Sequence, residues 1–232
     1  MAAQTESTTE PRIPLTRERV LQAAVALADR DGIEALTMRN LAQELGVEAM
    51  SLYYHVANKE AVLDGIVEAV VGEINEAVGT LDSPSPEDDW KTAMRQRILT
   101  ARQVLLRHKW APAVMETRTT MSMANVYYYE GILKTFREGG FSYDLAHHAM
   151  HALGSRALGF TQELFDPGDA ADEDASEALF AEMAENLPFL SGFMVEIAHD
   201  DPDSTLGWCD DQTEFEFGLD LILDGLDRLR HQ

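Results

Sequence analysis

The chain has 232 residues, 45% of them hydrophobic, and its 41 Asp and Glu against 18 Lys and Arg give a net charge of −23. That apolar share supports a sizeable core and excludes the disordered class, and one cysteine, Cys209, excludes an internal disulfide or a cysteine-only zinc site. No stretch sustains the roughly 18 apolar residues of a membrane span, and the first fourteen residues lack a signal-peptide core, so a cytoplasmic protein with no membrane association is expected.

Residues 1–14 read as a flexible arm. Thr16 to Asp31 then forms an amphipathic helix, with Val20, Leu21, Ala24, Val25 and Ala28 on one stripe and Gly32 closing it. Ile33 and Leu36 fill the gap beneath the next pair of helices. The first of that pair starts at Thr37 as N-cap, carries Leu41, Ala42 and Leu45 at helical spacing, and ends at Gly46, which suits a left-handed C-cap. The second, about Glu48 to His55, turns Leu52 inward and leaves Ala49, Met50, Ser51, Tyr53 and Tyr54 pointing elsewhere. A short helix with small residues at its start and tyrosines past them fits a DNA major groove. Asn58 is the expected N-cap of a longer helix, running to about Val78 on Val62, Leu63, Ile66, Val67, Val70, Val71 and Ile74.

Gly79 to Pro86 breaks the pattern and marks a boundary. Pro86 suits the first turn of a helix that runs to Arg107 on Trp90, Met94, Ile98, Ala101 and Leu105. His108 to Thr120 is irregular yet apolar, as a single helical turn beside a cavity would be. Ser122 to Glu138 is helical, stopped by Gly139-Gly140, with Phe141 as a hydrophobic lock. Ser142 caps a helix reaching about Phe165, in which Gly154, Ser155 and Gly159 would let another helix come close. An acidic loop (Asp166 to Ser176), a helix from Glu177 to Asn186, a Pro188 break and an apolar piece from Phe189 to Ala198 follow. In the final helix, Thr213 to Arg230, the residues Phe215, Leu219, Ile222, Leu226 and Leu229 are spaced four, three, four, three, with Phe217, Leu221 and Leu223 off that seam. A helix apolar on more than one face needs more than one neighbour, so the seam Phe215, Leu219, Ile222, Leu226 and Leu229 is expected at the interface with a second copy of the chain, this helix and the one from Ser142 forming a four-helix bundle across a two-fold axis.

His147, Met150 and His151 share one helical face, and with Trp110, Met115 and Tyr129 they form the candidate lining of a cavity for a partly apolar small molecule. The cluster His147, His148 and His151 lacks the glutamate of a His-Glu-x-x-His site, and neither a metal nor another cofactor is expected. Charge is unevenly placed. From Pro11 to Lys59, Arg12, Arg17, Arg19, Arg30, Arg39 and Lys59 balance Glu18, Asp29, Asp31, Glu34, Glu44 and Glu48, so the excess lies elsewhere. A neutral head on an acidic body binds DNA by geometry more than by bulk charge, which calls for two heads per complex.

The string LTMRNLAQELGVEAMSLYYHVANKEAVLDGI resembles the DNA-binding head of the TetR family of bacterial transcriptional regulators over roughly Leu15 to Ile66, and the remainder is similar to the regulatory domain of the tetracycline-repressor branch. The resemblance implies an all-α protein: a three-helix helix-turn-helix domain at 15–60 and a helical ligand-binding and dimerisation domain at 61–232. It implies a homodimer that binds a double-stranded operator. By the same likeness Thr37 and Arg39 contact phosphates or base edges, Ala49, Met50 and Ser51 read bases, and Tyr53, His55 and Lys59 clamp the DNA backbone. A histidine that helps hold the metal of bound tetracycline in that branch is replaced here by Met115 or Glu116, so a different effector is expected. The function implied is a ligand-responsive regulator, most simply a repressor. An acidic protein-interaction scaffold and, less so, an enzyme are the alternatives, and the chain has no nucleophile elbow, phosphate-cradling glycine loop or paired-cysteine site.

Overall fold

The structure, a computed structural model, describes residues 14–159, 186–197 and 211–231. Every regular element among them is helical: α1 (Arg17–Asp31), α2 (Met38–Glu44), α3 (Ala49–Leu52), α4 (Lys59–Gly79), α5 (Pro86–Arg107), α6 (Ala111–Thr117), α7 (Met123–Glu138), α8 (Tyr143–Gly159), α9 (Pro188–Ile197) and α10 (Asp211–Leu229), with a 3₁₀ turn at Ile33–Ala35. None is long and apolar enough to cross a membrane. The chain divides into two compact units, Met1–Glu76 with Arg107–Tyr128, and Ala77–Leu106 with Tyr129–Gln232. The expected arm up to residue 13, the end of the helix towards Phe165, the acidic loop, nearly all of the helix from Glu177, and Cys209 lie outside the described residues.

In the first unit, the starts of α1, α2 and α4 are held by the caps that their sequence supplies. Thr16 Oγ1 accepts from the Arg19 amide at 3.1 Å, Thr37 Oγ1 from the Asn40 amide at 3.1 Å, and Asn58 Oδ1 from the Ala61 amide at 2.8 Å. Such caps stabilise a helix by about 1 kcal/mol each. The buried stripe of α1 is Val20, Leu21, Ala24, Leu27 and Ala28; Leu27 takes the core position expected for Val25, which is only half-buried. Leu36, Leu41, Leu52 and Val56 close the core together with Val62, Ile66, Val67 and Val70 of α4. α1 and α4 touch closely, since a Cβ on Gly65 would stand 2.5 Å from Leu21 Cδ2.

In the second unit one core draws on α5 (Trp90, Met94, Ile98), the end of α7 (Phe136, with Phe141 after it), α8 (Ala146, Ala149, Leu153) and α10 (Phe215, Leu219, Leu223, Leu226). α7 stops as its Gly-Gly pair demands. Gly140 adopts φ +87°, and the amides of Gly140 and Phe141 bond back to the carbonyls of Arg137 and Phe136. This satisfies two orphan carbonyls, and the accompanying apolar contact is Phe141 on Phe136, ring centroids 5.0 Å apart. Trp90 completes the cluster edge-on to Phe141 at 4.5 Å. α5 begins differently from expectation. Asp89 has non-helical dihedrals (φ −148°, ψ 78°) and its carboxylate accepts from the Thr92 amide at 3.0 Å, so Asp89 caps the main body of α5 and the Pro86 turn stands apart from it.

α5 and α10 run antiparallel along a polar ladder. Lys91 pairs with Asp224 at 2.6 Å, and Arg95 with Asp220 at 2.7 Å and Glu216 at 2.5 Å, while the Trp90 indole N–H donates to Asp227 at 2.9 Å. Hydrogen bonds from Gln212 and Arg95 hold Glu216 below its usual carboxylate range, and the Trp90 bond does the same for Asp227.

The seam assigned to a dimer contact is corrected here. Phe215 and Leu219 are 0% exposed and Leu226 6% exposed inside a single chain, so they have no surface left for a partner. Ile222 packs half-buried against the same core, and only Leu229, 49% exposed, faces out. A helix turning once per 3.6 residues puts 215, 219, 223 and 226 on one stripe, and the second unit's own core takes that stripe. The outward apolar residues are Phe217 and Leu221, at 62% and 57% exposure.

Candidate nucleic-acid interface and effector-binding residues

The corner between α2 and α3 is built by backbone alone. Gly46 sits at φ +65°, the Gly46 amide bonds to Gln43 O at 3.1 Å, and the Val47 amide to Ala42 O at 2.9 Å. This pair of bonds is the motif that ends a helix on a left-handed residue, and glycine accepts that conformation without a Cβ penalty. α3 is shorter than the sequence suggests. Its α-helical part is Ala49–Leu52, after which the amides of His55 and Val56 both bond to Leu52 O at 2.9 Å and the chain turns. Leu52 at 0% and Val56 at 4% exposure pin both ends of that turn to the core. Tyr53 and Tyr54 are thereby lifted onto the surface.

Exposure follows. Thr37, Arg39, Met50, Tyr53 and Lys59 are exposed, and Ala49, Ser51 and His55 are partly exposed. The Thr37 hydroxyl is already the α2 cap, so what it offers a phosphate is its remaining hydrogen-bonding capacity. The cations divide into two groups. Arg30 is bidentate on Glu44, at 3.0 and 3.1 Å, which holds Glu44 below its usual range, and Arg30 also bonds Asp31. Arg39 and Lys59 have no carboxylate partner among the described residues. A head with equal charges thus presents two unneutralised cations beside α2 and α3, where phosphates would lie.

The effector residues are distributed over both units. In the first, Trp110 is buried and its indole N–H donates to Asp29 at 2.6 Å, and Met115 is half-buried on α6. In the second, Tyr129 is 39% exposed, Met150 packs against the core, and His147 and His151 stand exposed on α8 with ring centroids 4.7 Å apart. Among the described residues no group of three or more His, Cys, Asp or Glu is arranged to hold a metal ion.

Two polar sites escaped the sequence reading. Arg118 bridges Glu60 at 2.7 Å and Asp64 at 3.4 Å, and His108, only 7% exposed, lies between Asp29 and Glu73. The partners are 35 to 79 residues apart in sequence, so no local pattern announces them.

Comparison with known proteins agrees with this architecture. Residues 20–66 match the model "Bacterial regulatory proteins, tetR family", and residues 83–230 match "Tetracyclin repressor-like, C-terminal domain". The class C tetracycline repressor protein of Escherichia coli is 30% identical over 93% of this chain and 92% of its own length. Among solved structures, a possible TetR family transcriptional regulator from Streptomyces coelicolor A3(2) is 28% identical with a TM-score of 0.67, covering 92% of this chain and 99% of its own. A single-residue variant of TetR from Acinetobacter baumannii AYE, in complex with minocycline, is 25% identical with a TM-score of 0.64, covering 94% and 99%. With helix-turn-helix head, regulatory helices and both family models in agreement, the chain belongs to the tetR family of bacterial regulatory proteins and is a ligand-responsive transcriptional regulator, not an enzyme.

Proposed function

We propose that the protein is a homodimeric repressor of the cytoplasm whose two heads grip a palindromic operator and whose DNA complex is dissolved by a small, partly apolar effector. The observation that carries the DNA half is the Gly46 corner. It presents α3 with Met50 and Tyr53 outward, and beside it Arg39 and Lys59 have no carboxylate partner among the described residues. Contacts by Ala49, Met50 and Ser51 would be largely apolar, favouring thymine methyl groups, and Thr37, Arg39, Tyr53, His55 and Lys59 would hold the backbone. Two such heads read successive major grooves about 34–36 Å apart.

Dimerisation is assigned to the outward faces of α8 and α10, where Phe217, Leu221 and Leu229 are exposed and Gly154 has open space at its Cβ position. For the effector, the tetracycline repressors and the minocycline complex among the relatives support a ligand of partly apolar character. Tyr129, His147, Met150 and His151 are the second-unit residues to substitute first, with Met115 of α6 as a separate test. To shift the protein from DNA-bound to free, the effector must prefer the free state by a coupling energy of about 1–3 kcal/mol or more. Selecting duplexes from a random library with the purified protein, then screening small molecules for release in a mobility-shift assay, tests both halves. A chain that selects no sequence in low salt refutes the operator, and one that no ligand releases refutes the switch.

A further inference from the structure

The stretch from Thr37 to Lys59, which builds α2, the Gly46 corner and α3, contains two acidic residues, Glu44 and Glu48. The fold treats them differently. Glu44 is neutralised by Arg30, which donates to its two oxygens at 3.1 and 3.0 Å. Glu48 is exposed, and its carboxylate has neither a hydrogen bond nor an ion pair among the described residues. It stands two residues past Gly46 as the N-cap of α3, directly before Ala49, Met50 and Ser51. Its carbonyl accepts the Ser51 amide at 2.9 Å, yet its side chain takes no part in the cap. The starts of α1, α2 and α4 carry Thr16, Thr37 and Asn58, side chains that cap well; a glutamate at the start of α3 does no such local work.

A bare carboxylate is repelled by the phosphates of any DNA sequence, and a head with equal numbers of acids and bases has little attraction to set against that. The repulsion is offset only where the groove presents donors. A carboxylate accepts hydrogen bonds and cannot donate. On the major-groove edges, guanine offers N7 and O6 and thymine O4, all acceptors, and adenine pairs its N6 amino group with the acceptor N7. Cytosine presents the N4 amino group alone. Of the residues beside Glu48, Ala49 has no hydrogen-bonding group and Met50 only a weakly accepting sulfur, so Glu48 supplies the strong acceptor at the head of α3.

We infer that Glu48 is a specificity-determining residue that accepts a hydrogen bond from the N4 amino group of a cytosine in the major groove, so that each half-site carries a C·G pair facing the start of α3. This rests on the DNA-binding reading above. Exclusion contributes as much as attraction: guanine or thymine at that place sets its own acceptors against the carboxylate, and the discrimination lowers affinity for every other sequence.

The test selects duplexes from a random library with the full chain as wild type, Glu48→Gln, Glu48→Ala and Glu34→Gln. Glu34 is exposed in the 3₁₀ turn, so its variant removes one negative charge of the head away from α3. The wild type should favour cytosine at one position per half-site by roughly 5- to 150-fold. Glu48→Gln should move that preference to adenine, whose N6 and N7 a glutamine amide matches. Glu48→Ala should level the four bases there and bind unrelated duplexes roughly twofold more tightly, while Glu34→Gln keeps the cytosine. A Glu48 that only steadies the start of α3 would instead lower the thermal midpoint in both variants and weaken all duplexes alike with preferences intact, and that result overturns the inference. So does a wild-type site with no cytosine position that Glu48→Ala alters, which leaves the DNA-binding reading standing. A wild-type chain that selects no sequence at all removes both.

Discussion

Gly46 and Gly72 allow one substitution to be read in two ways. A Cβ placed on either would meet nothing within 4 Å, so neither Gly46→Ala nor Gly72→Ala creates a clash. Only the backbone differs: Gly46 holds φ +65° at the α2–α3 corner, whereas Gly72 lies inside α4. An L-residue in the left-handed region costs about 1–2 kcal/mol, offset by about 0.4–1 kcal/mol from a less flexible unfolded chain, which leaves Gly46→Ala destabilising by about 1 kcal/mol. Gly72→Ala gains about 0.8–1 kcal/mol of helix propensity. The pair should therefore separate by about 2 kcal/mol, or roughly 4–8 °C in thermal midpoint for a chain of this size. Calorimetry on the purified variants measures the separation, and operator affinity should fall only for Gly46→Ala, because only that change strains the angle at which α3 is presented. Equal midpoints, or a Gly46→Ala protein as stable as Gly72→Ala, would refute the account of the corner.

Substituting Leu221→Glu should convert the dimer to monomers in sedimentation while leaving the helical signal intact, whereas Leu219→Glu, at a position 0% exposed, should fail to fold; a dimeric Leu221→Glu chain would remove the outward face of α10 from the interface. Lys59→Ala should lower the salt slope of DNA binding by about one unit with little change in sequence preference, and an unchanged slope would show that Lys59 touches no phosphate. Trp90→Phe removes the hydrogen bond that most lowers Asp227. A depressed carboxylate stabilises the fold above the ordinary carboxylate range and loses that contribution as pH falls through its own lower value. The acid-unfolding midpoint of Trp90→Phe should therefore lie at higher pH than that of the wild type, and coincident acid limbs would contradict the assignment.

Signals confined to neighbouring residues were legible in the sequence. The caps at Thr37 and Asn58, the left-handed Gly46, and the Gly139-Gly140 stop with Phe141 behind it each depend on residues within one or two turns, and each holds in the structure. What the sequence could not reveal is which partner each face meets. Leu223 lay off the chosen seam because a period of three and a half and one of three and six-tenths diverge along a helix, and the core follows the latter. The Asp89 cap was hidden behind Pro86, a plausible helix start in its own right. Tyr53 and Tyr54 continue the helical pattern of α3, yet the anchoring of Val56 bends the backbone out of it. The His108 contacts and the α5–α10 ladder join residues 35 to 137 positions apart, where periodicity carries no information.

That ladder also sets an order of assembly. Lys91 and Arg95 meet their acidic partners only once α10 exists, 121 to 133 residues later in the chain. Without α10, Trp90, Phe136 and Leu153 lack the helix that packs against them, and such uncovered apolar surface is what chaperones and proteases recognise. A polypeptide that ends before α10 is therefore expected to be cleared, since the apolar side chains that α10 covers would stand open.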